Sequence, residues 1–287
     1  MEIKKYLEAG KIGKEARELG KELIKEGVSY YEVAEKIENY IRDAGAKPAF
    51  PVNLSVNHEA AHYSPVKDDG RYFRRGDVVK LDLGAQIDGY ISDTAVTVEV
   101  DTNKWGELIE ASAEALNNAI KSIKPGIEVG KIGKIIEESL NFYGFNPIRN
   151  LTGHGLGRYD LHHGLVIPNY DDGSREKLLP GMAFAIEPFA TNGKGYVREG
   201  KGGNIYIFRK TKDLKGAYGE MFEEFKTLPF AARWCTHYPD YKSLLKKGSF
   251  LGIIYHFPIL QERKKFVVAQ TEHTLLLTED SVIVTTK

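Results

Sequence analysis

The chain moves between two hydrophobic rhythms. Residues 2–26 set Ile3, Leu7, Ile12, Ala16, Leu19, Leu23 and Ile24 at near-helical spacing among Lys and Glu, which predicts an amphipathic helix that Gly27 stops. Ser29, with Glu32 three residues on, has the form of a capping box for a second helix. Val33, Ile37, Tyr40 and Ile41 are its apolar face, and Gly45 ends it. A second helix pair is predicted at about 105–122 and 129–142. Gly27-Val28, Val33 and Ile37 match Gly126-Ile127, Ile132 and Ile136 at a constant offset of 99 residues. Any two amphipathic helices align somewhere, so this repeat is faint, but it suggests two similar halves.

Elsewhere the rhythm is that of strands. Asp77–Ala85 and Ile91–Val100 are rich in Val, Ile and Thr, and the Asp88-Gly89 pair between them is a hairpin cue. Gly181–Ala190, Thr271–Leu277 and Ser281–Thr286 also read as strands. Between 205 and 265, Glu220–Phe225, Pro229–Trp234 and Tyr241–Lys247 are short helical pieces broken by Pro and Gly. The expected organisation is a main domain formed by 1–204 and 266–287, with 205–265 as an inserted helical subdomain.

Composition narrows the class. The 287 residues are 42% hydrophobic and 28% charged, enough for a sizeable core. Forty basic and forty acidic side chains leave a net charge of +0, which argues against a broad nucleic-acid-binding surface. The single cysteine, Cys235, cannot form an internal disulfide and has no nucleophile signature around it. The longest nearly apolar run, Leu251–Leu260, is interrupted by His256 and falls short of the ~18 residues a spanning helix needs. Met1–Leu7 carries charges but no signal core, so a soluble cytoplasmic protein is expected.

Five residues stand out as candidate chemistry: Asp82, Asp93, His154, Glu187 and Glu272. If Asp88-Gly89 form a two-residue turn, residue 82 faces 95 and residue 84 faces 93, making Asp82 and Asp93 diagonal neighbours on one sheet face. A longer loop would set them directly opposite. The bland alternative puts both at strand ends in solvent or capping turns, and the pair alone does not decide. Glu187 lies in the apolar run Met182–Pro188, and Glu272 in Val267–Leu277. Burying an unpartnered acid costs several kcal/mol, and four acids in four apolar strands point to a shared cation. His154 is flanked by Gly153 and Gly155, which suggests close backbone packing around a presented imidazole. An oxygen-rich set with one His suits Mn, Fe, Co or Zn, and two bridging carboxylates would accommodate two ions.

His62, His162 and His163 are further candidates, although a lone His is more often structural. His237, His256 and His273 carry no such signal. Gly195–Gly202 has the glycine and lysine spacing of a phosphate loop but puts Gly202 where Ser or Thr is needed and is followed by a strand pattern. Gly153–Gly157 lacks a third glycine at the fixed spacing of a dinucleotide site and the helix that should follow it.

Leu81–Gly84, Ser92–Ala95, Gly153–Gly157, Ala185–Pro188 and Gln270–Thr274 occur in the order that resembles the ligand strings of the pita-bread metallopeptidases. That superfamily comprises methionine aminopeptidases, X-Pro aminopeptidases and prolidases, and creatinases. The 85-residue separation of Glu187 from Glu272, the early Asp82, and Phe50-Pro51 with Ala60–Tyr63 resemble the type II methionine aminopeptidases in their short archaeal form. The resemblance implies an α+β pita-bread fold, with a pseudo-twofold antiparallel sheet flanked by two helix pairs. It implies two divalent ions, one held by Asp93, His154, Glu187 and Glu272, the other by Asp82, Asp93 and Glu272. It implies Glu187 as proton shuttle, with His62 and His162 on the substrate; the spacing of eight from His154 favours His162 over His163. Phe50, Leu161, Phe257 and Leu260 fall where the family builds its apolar methionine pocket. The implied activity is removal of the initiator methionine before a small second residue. The implied partners are nascent-polypeptide N-termini, with the ribosome as a candidate, no DNA and no membrane, and the implied state is a monomer. An X-Pro peptidase on the same fold, or a non-catalytic relative binding RNA or ribosomes, is the alternative.

Overall fold

The structure, a computed structural model, describes residues 2–68 and 70–287. Met1, where the expected main domain begins, lies outside them. The first half runs α1 (Ile3–Leu23), α2 (Tyr30–Asp43), β1 (Lys47–Val56), β2 (Glu59–Ala61), β3 (Val78–Ile87) and β4 (Tyr90–Glu99). The second begins with α3 (Gly106–Ser122) and α4 (Val129–Phe142). It continues through β5 (Asn146–Pro147), β6 (Thr152–Gly155), β7 (Val166–Pro168), β8 (Ala183–Ile186), β9 (Phe189–Thr191) and β10 (Arg198–Phe208). After α5 (Ala217–Phe225), β11 (Phe230–Ala231), α6 (Tyr241–Phe250) and β12 (Ile254–Gln261), the chain returns in β13 (Val268–Gln270), β14 (His273–Leu277) and β15 (Val282–Val284).

In each half a helix pair buries its apolar face on a strand layer. Ile12, Ala16, Val33, Ile37 and Ile41 pack on Leu54, Val79, Leu81 and Leu83 of the β1-β3-β4 sheet. Ala111, Ala115, Ile132, Ile136 and Leu140 pack on Ile167, Phe184, Ile186 and Leu275. The faint repeat is real at the backbone. Gly27 and Gly126 both have φ of +80°. Gly27 N–H donates to Phe73 C=O at 2.8 Å, and Gly126 N–H to Leu178 C=O at 2.7 Å. Phe73 and Leu178 donate back to Val28 and Ile127. Each helix pair is thus closed by the same loop-to-loop ladder.

That ladder also replaces the expected capping box. Ser29 makes no side-chain cap bond to the start of α2. Its backbone is extended and bridges Tyr72, as Glu128 bridges Lys177 at the start of α4. The entry angle of the helix is therefore set by tertiary pairing.

The halves join where β4 meets the β13–β14 connection. Ala95 and Glu272 exchange backbone hydrogen bonds of 3.3 and 3.0 Å. Thr94 Oγ1 donates to the Glu272 carbonyl at 3.0 Å, and Thr274 Oγ1 to the Asp93 carbonyl at 2.8 Å.

The 205–265 stretch is helical only in part. α5, α6 and a 3₁₀ turn at Ala232–Cys235 pack on a sheet ordered β11-β10-β12-β2. Pro229–Trp234, expected as helix, instead opens with β11, because Phe230 is buried and pairs with Tyr206 of β10. Gly195–Gly202 runs into the β10 strand, with no helix after it. Among the described residues no helix is long and apolar enough to cross a membrane.

Candidate active site

The hairpin between β3 and β4 turns on Asp88 and Gly89, both at positive φ as a two-residue primed turn requires. The register follows: Asp82 pairs with Ala95, and Gly84 with Asp93. Asp82 and Asp93 are diagonal neighbours on the face turned away from the helices. Gly84 has no Cβ because one there would strike the Phe50 ring and the Ser92 carbonyl.

The second half supplies two carboxylates at one shared interruption. β8 pairs with β14 up to Ile186 and His273, and β9 pairs with β13 from Phe189 and Gln270. Between them, Glu187-Pro188 lies opposite Thr271-Glu272. Pro188 has no N–H to continue the ladder, so the strand expected over 181–190 breaks there. Both acids leave the ladder at this break, and both line the same cavity as Asp82 and Asp93.

His154 comes from β6, beside β8. With Nδ1 donating to the Gly155 carbonyl at 3.3 Å, its Nε2 keeps a lone pair. That nitrogen stands 3.6 Å from Asp93 Oδ2 and 3.7 Å from Glu187 Oε1. Ligand atoms of Asp93, His154 and Glu272 all lie within 4.8 Å of one another. Acceptors facing acceptors at such spacing repel unless a cation lies among them. Asp82 Oδ1, Asp93 Oδ1 and Glu272 Oε1 are buried with no hydrogen-bond partner. The donor set, four carboxylates and one imidazole, fits a hard or borderline divalent ion.

The electrostatics agree. Burial pushes the Asp82 carboxyl up to about 7. Burial, and then the neighbouring acids, raise Asp93, Glu187 and Glu272 well above the carboxylate range. Burial lowers His154 to about 3 and His62 to about 4, so both imidazoles are neutral at pH 7.

The acids share a cavity of about 210 Å³ with Phe50, His62, Leu161, His162 and Phe257. His62 is at φ 68° and meets the Phe257 ring edge-on at 5.2 Å. A Cβ at Gly155 would collide with the His163 carbonyl oxygen, so the 156–163 loop folds tightly back. This brings the His162 ring to 4.4 Å from that of His154, where it opens onto the cavity and burial lowers its pKa. His163 points away into solvent and bonds Asp160 at 2.9 Å. Leu260 does not line the cavity: it pairs with Ala61 and packs on the cluster of Ala60, Ile148 and Phe189.

Sequence reasoning missed two polar residues. Gln270 is fully buried, and its Nε2 donates to Glu187 Oε2 at 3.1 Å and reaches Glu272 Oε2 at 3.5 Å. Its signal was a lone amide in an apolar strand two positions before an acid. Asn53 lines the cavity from β1, inside the otherwise apolar run Phe50–Leu54.

The model of metallopeptidase family M24 matches residues 4–279. The chain is 44% identical to the methionine aminopeptidase of Methanocaldococcus jannaschii over 100% of both chains. Among solved structures it is similar to the methionine aminopeptidase from Thermotoga maritima, at 29% identity and a TM-score of 0.74, covering 100% of this chain and 96% of that one. It also superposes on the prolidase from Pyrococcus horikoshii with a TM-score of 0.65 and 24% identity, a likeness of fold, covering 100% of this chain but 62% of that one.

Proposed function

Because this chain belongs to metallopeptidase family M24, with its pita-bread fold, we propose that it removes the initiator methionine from nascent polypeptides whose second residue is small. The observation that carries this reading is the convergence of Asp82, Asp93, His154, Glu187 and Glu272 on one cavity, with carboxylate oxygens buried and unpartnered. The full-length likeness to methionine aminopeptidases supports the same substrate class.

Asp93, His154, Glu187 and Glu272 would hold one divalent ion, and Asp82, Asp93 and Glu272 a second, with Co, Mn, Fe or Zn as suitable species. Such ions, when bound, polarise a scissile carbonyl and acidify a water. The protein's own residues do the rest. Glu187 takes a proton from the attacking water and returns it to the leaving amine, a role its raised proton affinity suits. His62 and His162, neutral at pH 7, donate hydrogen bonds to the peptide carbonyl and to the oxygen on which charge develops. Phe50, Leu161 and Phe257 take up the methionine side chain. The wall is apolar, so discrimination against similar side chains is limited to about 1–3 kcal/mol per methylene.

The test is hydrolysis of Met-Ala-Ser, Met-Leu-Ser and Ala-Pro-Ser by chelator-treated protein reloaded with Co or Mn. Release of Met from the first alone, abolished in Asp93→Ala and His154→Ala, is the expected result. Cleavage before proline instead would make the protein an X-Pro peptidase. No cleavage with any metal would leave a binding protein.

A further inference from the structure

Phe50 pairs with Gly84 across the β1–β3 ladder, and Asn53 pairs with Asp82. Three steps along β1 therefore oppose two along β3. In a regular strand, positions 50 and 53 face opposite sides. The extra residue at this bulge turns Asn53 back to the side of Phe50, and both line the cavity. Bulges re-aim side chains in this way beside active sites.

Asn53 is 4% exposed. Its Nδ2 donates to the Pro51 carbonyl at 2.7 Å. A carbonyl can only accept, so this bond determines which way round the amide sits. Oδ1 is then the free end, and it is buried with no donor. A buried amide oxygen left without a donor is unfavourable, and a bulge that creates one needs a reason.

We infer that Asn53 Oδ1 accepts a hydrogen bond from the α-ammonium group of the substrate's first residue. The inference rests on the aminopeptidase reading above. Phe50, on the same bulge, walls the pocket assigned to the methionine side chain. Side chain and ammonium branch from one Cα, so a side chain against Phe50 turns the ammonium toward the adjoining Asn53 and Asp82. A primary amine brings N–H donors to Asn53 Oδ1, which has none within the protein. A chain lacking the amine brings none. Asn53 is thus a specificity residue for free N-termini.

The experiment titrates the metal-reloaded protein with L-methioninol and with 4-(methylthio)butan-1-ol, which lacks only the amine. Asn53→Ala is expected to weaken methioninol binding about tenfold, the effect of one hydrogen bond to a charged group, and to leave the amine-free ligand unchanged. Equal weakening of both ligands, or of neither, overturns the inference. So does a drop in metal bound per chain, which would make Asn53 an ion ligand. If Asn53→Ala does not fold, Asn53→Ser keeps a hydroxyl near the Pro51 carbonyl, falls short of the cavity and reads the same loss. Wild-type protein that cleaves no methionyl peptide sinks the underlying function; cleavage of Met-Ala-Ser alongside an indifferent Asn53→Ala sinks only this assignment.

Discussion

Gln270 Nε2 donates to Glu187 Oε2 at 3.1 Å and reaches Glu272 Oε2 at 3.5 Å, so one neutral amide ties together the two acids of the strand break. Thr97 Oγ1 in turn holds the Gln270 backbone, accepting from its N–H and donating to its carbonyl, both at 2.8 Å. Groups that orient metal-ligating side chains typically carry 10–100-fold in affinity. Gln270→Leu should therefore weaken divalent-ion binding by about that factor, with the fold retained. Metal titration with circular dichroism on the same samples checks it; unchanged affinity would remove the amide from any such role.

The crowded acids make stability depend on pH and metal together. Asp82 has its folded pKa at about 7 against an ordinary 3.8, raised by burial. In metal-free protein the folded state therefore holds protons that the unfolded chain releases, and stability falls as pH rises from about 4 to 7. A divalent ion competes with those protons. The expected outcome is a rise in Tm on adding Mn that is small near pH 5 and larger at pH 7.5. A metal-induced rise that shrinks with pH would contradict the cluster's electrostatics.

His162 and His163 are adjacent in sequence and opposite in surroundings. His162 lines the cavity; His163 pairs with Asp160 in solvent. His162→Ala should lower kcat/KM by about a hundredfold, as removal of a transition-state donor does. His163→Ala should leave it within about twofold. Steady-state kinetics on Met-Ala-Ser separate the two.

A buried ion pair fastens the 205–265 stretch to the first half. Arg233 reaches both Glu35, at 3.1 Å, and the fully buried Glu38, and it donates to Ser64 Oγ at 2.7 Å. Trp234 Nε1 adds a bond to Glu38 Oε2 at 2.6 Å. Glu38→Ala removes the fully buried carboxylate, leaves the guanidinium only the partly exposed Glu35, and should cost up to about 3–5 kcal/mol. Replacing both partners, Glu38→Leu with Arg233→Met, should cost less than Glu38→Ala alone. Denaturant melts of the two variants measure the difference.

Much of the site was legible because its signals are local. A two-residue turn leaves one register for its hairpin, so Asp88-Gly89 determined that 82 pairs with 95 and 84 with 93. The helix pairs followed from periodicity within three residues at each end. The failures were non-local. The Ser29 cap lost to a bridge with Tyr72, 43 positions away. Leu260 had the right hydrophobicity for the pocket, but β12 pairs it with Ala61 and turns it elsewhere. Asn53 showed only as a polar residue in an apolar run; its direction was hidden, because a bulge is a property of two strands and only one of them is visible in any local window.

The sequence by itself determined the halves, the hairpin and the four acids in apolar strands, since amphipathic period, turn chemistry and the cost of burying charge all act over a few residues. Only the tertiary structure decided that Glu187 and Glu272 leave the ladder at the same break and that Gln270 bridges them. Those outcomes depend on which strands lie side by side, and strand adjacency is settled by packing between residues far apart in the chain.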